Sequence, residues 1–138
     1  MHRLSTKQLT FTALLAAVYA LLTVTLPIPQ FSGVQIRFAE ALTVLPFLFP
    51  AAAPGLVVGC FIANLFSPFP LDMVFGTFAT LLACLLTARM PNRGLAPLPP
   101  VLCNALIVGF EIAWSTVGFT PGFWPACALN MCTVGLGE

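Results

Sequence analysis

Between Lys7 and Arg37 the chain carries no charged side chain, and the first part of that interval, Gln8 to Leu26, is apolar almost throughout. A segment of about 20 such residues spans the ~30 Å hydrocarbon core of a bilayer as a helix, closing its backbone hydrogen bonds internally. The poverty in charge extends over all 138 residues, which include five Lys and Arg, four Asp and Glu and one His. A soluble domain is about 25% charged, whereas this chain is 7% charged and 59% hydrophobic, with a mean hydropathy of +1.03. Too little polar surface is available to cover a water-soluble globule. The expected fold is an all-α integral membrane protein with lipid as its main solvent. A net charge of +1 offers no basic face for nucleic acid.

The prolines divide the chain into segments. A first helix is predicted over about 8–26, ahead of Pro27 and Pro29. A second is predicted over about 34–49, ending at Pro50, and a third over about 53–67, with Pro54 at its start, where a missing N–H costs nothing. Pro68 and Pro70 close the third. A fourth, about 71–88, opens on Asp72, where the helix dipole favours a carboxylate. The Pro-rich loop 91–100 leads to a fifth helix over about 100–118, and a sixth is predicted over about 124–138. That last run covers only about 22 Å as a helix, so it reads as cut short. The expectation is one polytopic transmembrane domain, 1–138, of six helices, the sixth truncated.

Arg3 and Lys7 also suit a cleaved signal peptide, but the apolar run after them is long enough to span, and no clear cleavage pattern follows. Arg3 and Lys7 precede helix one and Arg89 and Arg93 follow helix four, so an even number of crossings puts both clusters on one side. The positive-inside rule makes that side, and the N-terminus, cytoplasmic. Arg37, Asn64 and Asp72 then fall towards the outer side.

Polar groups within the apolar segments are few. Arg37 and Glu40 are three apart, so a helix places them on one face, either neutralising each other or forming the polar floor of a site. Asn104 and Glu111 are seven apart and superimpose on a helical wheel, with Trp114 and Ser115 extending the stripe. Ionisable groups at membrane depth mark function or a paired partner. One Arg does not compensate both Glu40 and Glu111, and with Asn64 nearby these acceptors suit a small polar ligand, cationic or amide-like, that presents several N–H donors. Phe38, Phe61, Phe66, Phe110 and Trp114 offer flat apolar walls for a ring, although any single Phe among thirteen is more simply core or lipid-facing.

Other chemistry is thinly supported. Cysteines 60, 84, 103, 127 and 132 are scattered without metal or disulfide spacing, and read as packing residues. The single His is His2, and no nucleophile–base pair, phosphate-cradling glycine loop or metal motif is present, so neither enzyme, metal nor cofactor is expected. Ala13 with Ala17, and the offset Ala16 with Ala20, form small-residue stripes that let another helix approach closely. Internal packing is their simpler explanation.

The segment Gln35-Ile36-Arg37-Phe38-Ala39-Glu40-Ala41-Leu42-Thr43-Val44-Leu45-Pro46 carries a family resemblance, together with Thr10 to Tyr19, Pro54 to Leu65, Leu95 to Ala105 and the closing Val134-Gly135-Leu136-Gly137-Glu138. These residues resemble the QueT family of queuosine-precursor transporters, the substrate-binding S components of energy-coupling factor transporters. The resemblance implies an S-component-like bundle of six transmembrane helices in the cell membrane that captures a 7-deazaguanine from outside. It also implies docking on a transmembrane coupling subunit driven by two ATPase subunits, with Ala13 and Ala17 in the docking stripe. A deazaguanine offers N–H donors on one edge, which a carboxylate accepts in bidentate fashion, and a carbonyl beside them. The expected roles are Glu40 or Glu111 on the N–H edge, Asn64 or Asn104 at the carbonyl, Phe38 or Trp114 as the aromatic wall, and Arg37 and Asp72 alongside. The alternatives are an S component for another vitamin-like solute, a stand-alone ion-coupled carrier using Glu40, Glu111 and Asp72 as its relay, and a structural membrane protein.

Overall fold

The computed structural model describes residues 5–26 and 36–137, and among them every regular element is helical. Helix α1 spans Thr6–Thr25. A 3-10 segment, Phe38–Val44, runs into the single-turn α2, Leu45–Leu48, and a 3-10 turn, Pro50–Ala52, leads into α3, Ala53–Asn64. Helix α4 is Asp72–Thr87, α5 is Leu98–Val117 after a 3-10 turn at Arg93–Leu95, and α6 is Phe123–Gly137. Two helical stretches, Thr6–Thr25 and Arg93–Val117, are long and apolar enough to cross a membrane; Phe38–Leu48, Pro50–Asn64 and Asp72–Thr87 are shorter apolar helices.

The helix ends follow local chemistry. Ser5 and Gln8 form a capping box at the start of α1, the Ser5 N–H donating to Gln8 Oε1 at 3.1 Å. Prolines occupy the first turns of α3 and α5, where no N–H is required. Helix α5 ends on Gly118 at φ +63°, a left-handed conformation that favours glycine.

The second predicted helix is different from expectation. Residues 34 and 35 lie outside the described residues, Arg37 is extended, and Phe38–Val44 winds as a 3-10 helix, leaving only Leu45–Leu48 in α geometry. Pro46 accounts for this. In an α-helix its ring would clash with the Leu42 carbonyl and its N–H would be missing from the ladder. The Leu42 carbonyl instead accepts the Leu45 N–H, the tighter 3-10 pattern.

The helices pack in the order α1, α3, α4, α5, α6, each against the next, while the 3-10 segment lies against α1, α3, α4 and α5. Glycines permit the closest approach, between α1 and α3. A Cβ on Gly55 would fall 2.4 Å from the Thr12 carbonyl oxygen, and one on Gly59 would fall 2.8 Å from that of Ala16. Leu15, Tyr19, Ala39, Leu56, Cys60 and Ala63 form the core at this junction. A second apolar cluster, with Ala79, Val108, Ile112 and Val134, ties α4 and α5 to α6. Polar residues gather around the 3-10 segment, between these two clusters.

Candidate functional site

Glu40 is the centre of the polar group. It occupies the 3-10 segment that four helices surround, and it is 2% exposed. Its Oε1 accepts the hydroxyl of Tyr19 from α1, and the side-chain amide of Asn104 from α5 lies beside it. The Glu40 backbone carbonyl accepts the Thr43 hydroxyl. Its carboxylate is therefore held from α1 and faced by α5, two helices that are not neighbours in the packing order.

Arg37 points to a different carboxylate from the one its sequence spacing suggests. Its Nη2 lies 2.8 Å from Asp72 Oδ2, a buried salt bridge between the 3-10 segment's leading residue and the first turn of α4. The proposed self-neutralising pair of Arg37 with Glu40 gives way to this longer-range ion pair because the extended backbone at Arg37 abolishes the helical register that would stack the two. Asp72, expected as a dipole cap, is also the counter-ion of Arg37. Helix α4 is further tied down by Asn64, whose Nδ2 donates to the Asp72 backbone carbonyl at 2.9 Å and to Cys60 Sγ at 3.3 Å. The Thr80 hydroxyl reaches the same sulfur at 3.2 Å. Cys60 thus serves as a polar node as well as a packing residue.

Glu111, fully buried on α5, accepts the Ser115 hydroxyl at Oε1, 3.1 Å away. Arg37, Glu40, Asn64, Asp72, Asn104 and Glu111 are all 3% exposed or less, so the six polar residues expected at a ligand are all buried, whereas Ser115 is exposed. The two aromatic candidates lie elsewhere. Phe38 is 60% exposed on the outside of the molecule. Trp114 is 38% exposed and packs edge-on against Phe75 and obliquely against Phe119. Phe61 and Phe66 are likewise exposed, and Phe110 meets Phe123.

Sequence reasoning passed over Tyr19 and Thr80 and took Cys60 for packing alone. Tyr19 had a visible signal, since it is the single tyrosine beside thirteen phenylalanines, and a hydroxyl at membrane depth needs a partner.

The buried oxygens without a hydrogen-bond partner among the described residues include Thr77 Oγ1 and four in the polar group: Glu40 Oε2, Asn64 Oδ1, Asp72 Oδ1 and Glu111 Oε2. All four are acceptors. Leaving such a group buried and unmatched costs about 1–3 kcal/mol, more when it is charged, so the set calls for donors from outside the helices. The charge count points the same way. Three carboxylates are buried with one guanidinium, while Lys7, Arg89 and Arg93 are exposed. A ligand rich in N–H groups, or one bearing a positive charge, complements this interior.

The group is closed in this structure. Surface concavities of about 220 Å³, lined by Val44, Phe47, Leu48, Arg93 and Ala96, and about 300 Å³, between α4 and α5 at Phe75, Phe78 and Phe110, both lie away from it. Among the described residues no His, Cys, Asp and Glu side chains group to hold a metal ion.

A family model described as QueT transporter aligns with residues 9–138, nearly the whole chain. No curated protein and no solved structure matches it.

Proposed function

Because the chain belongs to the QueT transporter family, a membrane setting and a transport role for a small molecule follow, and we propose that it is the substrate-binding subunit of an ATP-driven energy-coupling factor importer. In this reading it crosses the cell membrane several times with its N-terminus in the cytoplasm. It captures a queuosine precursor or related 7-deazaguanine from the outer side. Two ATPase subunits supply the energy through a shared transmembrane coupling subunit, which docks on the α1 face carrying Ala13 and Ala17. Both alanines are exposed.

The observation that carries the substrate reading is the set of unpartnered acceptors. A deazaguanine edge offers a ring N–H and an exocyclic amine. With Glu40 Oε1 committed to Tyr19, bidentate capture by Glu40 alone is replaced by a shared arrangement: one N–H on Glu40 Oε2 and another on Glu111 Oε2, Asp72 Oδ1 or Asn64 Oδ1. The Asn104 amide is the candidate donor to the ligand carbonyl. Phe38 is withdrawn as an aromatic wall because of its exposure, and Trp114, three residues from Glu111 on α5, is the remaining candidate.

The decisive experiment is ligand-dependent thermal stabilisation of the purified chain against a panel of 7-deazaguanines, guanine and vitamins, because a ligand that binds only the folded state raises its apparent stability. Deazaguanines should give the largest shift. A shift by another solute alone would keep the binding subunit and replace its substrate. Uptake that proceeds without the ATPases and is lost on adding a proton ionophore would replace the importer by an ion-coupled carrier.

A further inference from the structure

We infer that Tyr19 is a positioning residue for Glu40: its hydroxyl holds one carboxylate oxygen so that the other is offered to the bound ligand. This rests on the reading of Glu40 as a ligand acceptor and adds the device that aims it.

Glu40 occupies the least regular element of the bundle, a 3-10 segment that ends two residues before Pro46, so its own backbone fixes its side chain weakly. Tyr19 comes from the opposite kind of environment. It is 0% exposed, in the middle of the twenty-residue α1. The base of its side chain is pressed against α3, since a Cβ on Gly59 would come 2.9 Å from Tyr19 Cβ. Packing that close restricts the ring to few rotamers. The phenol therefore presents its O–H from a rigid mount, and the Glu40 Oε1 that receives it is fixed in turn. Asn104 faces the carboxylate from α5, and Oε2 is without a hydrogen-bond partner among the described residues.

A ring of phenylalanine shape would fill the same volume, so packing alone does not account for the hydroxyl. Tyr19→Phe removes the O–H and little else, which makes the inference separable from a purely structural role.

The test uses the full chain in detergent or nanodiscs, with 7-deazaguanine and guanine as probes and calorimetry as the readout. Tyr19→Phe should weaken binding roughly tenfold, because the untethered carboxylate must then be ordered by the ligand itself, and should also lower the melting temperature through the loss of one buried hydrogen bond. In a Glu40→Gln background the same change should alter affinity less than twofold, because the group it positions is gone. Equal losses in both backgrounds, or an unchanged Tyr19→Phe, would overturn the inference while leaving Glu40 in place as acceptor. Wild-type affinity in Glu40→Gln, or no binding of either base by the wild-type chain, would remove the acceptor reading and the positioning role together. A second measurement holds even if Glu40→Gln binds nothing. Tyr19 is the chain's single tyrosine, so the C–O stretch of isotope-labelled phenol reports it alone, and it should shift between wild type and Glu40→Gln without ligand. An identical band in the two proteins would again overturn the proposal.

Discussion

At the scale of single residues, the interior is organised by a mismatch of one guanidinium to three carboxyl groups. Arg37 and Asp72 pair across 2.8 Å, while the side chains of Glu40 and Glu111 accept the hydroxyls of Tyr19 and Ser115, with Arg37 also attracting Glu40. Removing one partner of a buried ion pair costs about 3–5 kcal/mol, because the other is left uncompensated, whereas replacing both by apolar residues is often close to neutral. Asp72→Asn should therefore lower the unfolding midpoint more than the double change Arg37→Met with Asp72→Leu, measured by thermal unfolding in detergent. A larger loss in the double variant would show that Arg37 contributes chiefly through other contacts. For ligand binding, Glu111→Gln and Glu40→Gln should each reduce deazaguanine affinity tenfold or more in calorimetry. Wild-type affinity in both would remove the substrate reading. The polar residues themselves were legible in the sequence, since Asn, Asp and Glu are conspicuous in apolar helices. Their pairing was not. Arg37 and Asp72 are 35 positions apart, and the choice between Glu40 and Asp72 as partner depends on where the helix begins, which spacing alone does not reveal.

At the scale of elements, the 3-10 winding of Phe38–Val44 sets the direction in which Glu40 faces. A 3-10 helix turns by 120° per residue and an α-helix by 100°, so five residues upstream of Leu45 the two geometries differ by about 100° in side-chain direction. Pro46→Ala removes the obstacle to α winding and should carry Glu40 away from Tyr19 and Asn104. Helical content by circular dichroism should hold or rise while ligand affinity falls. Unchanged affinity would mean that contacts with α1 and α5, not Pro46, impose the winding. The proline was visible in the sequence, but it was read as a residue within a helix because the apolar run around it continues to Pro50. The α1–α3 junction gives a second test. Gly55→Val places atoms against the Thr12 carbonyl, a backbone group that cannot swing aside, and should cost about 1–3 kcal/mol of stability. Gly94→Ala, with nothing within 4 Å of its added Cβ, is the control that should leave the melting temperature unchanged.

At the scale of the whole molecule, α1 has two faces with different work. Leu15, Ala16, Tyr19 and Thr23 turn inward, and Ala16 is among the atoms against which Gly59 packs. Ala13 and Ala17 turn outward, with Leu14 and Leu21 each 61% exposed beside them. The sequence showed both alanine stripes but not which one the bundle uses, because choosing between them requires the rotation of α1 against α3, and that is set by Gly55 and Gly59 forty residues on. With Ala16 used internally, the Ala13 and Ala17 stripe is left for lipid or for a partner helix, and the two occupants predict different results. Small residues let a partner's backbone approach, so a bulky side chain there blocks association, whereas lipid tails accommodate it. Ala13→Trp with Ala17→Trp should leave deazaguanine affinity of the isolated chain within twofold, since neither residue reaches the polar interior. The same variant should lose co-purification with the coupling subunit and ATPases, and ATP-dependent uptake in cells with it. Uptake at the wild-type level would assign this face to lipid and require the docking surface to be sought on another helix.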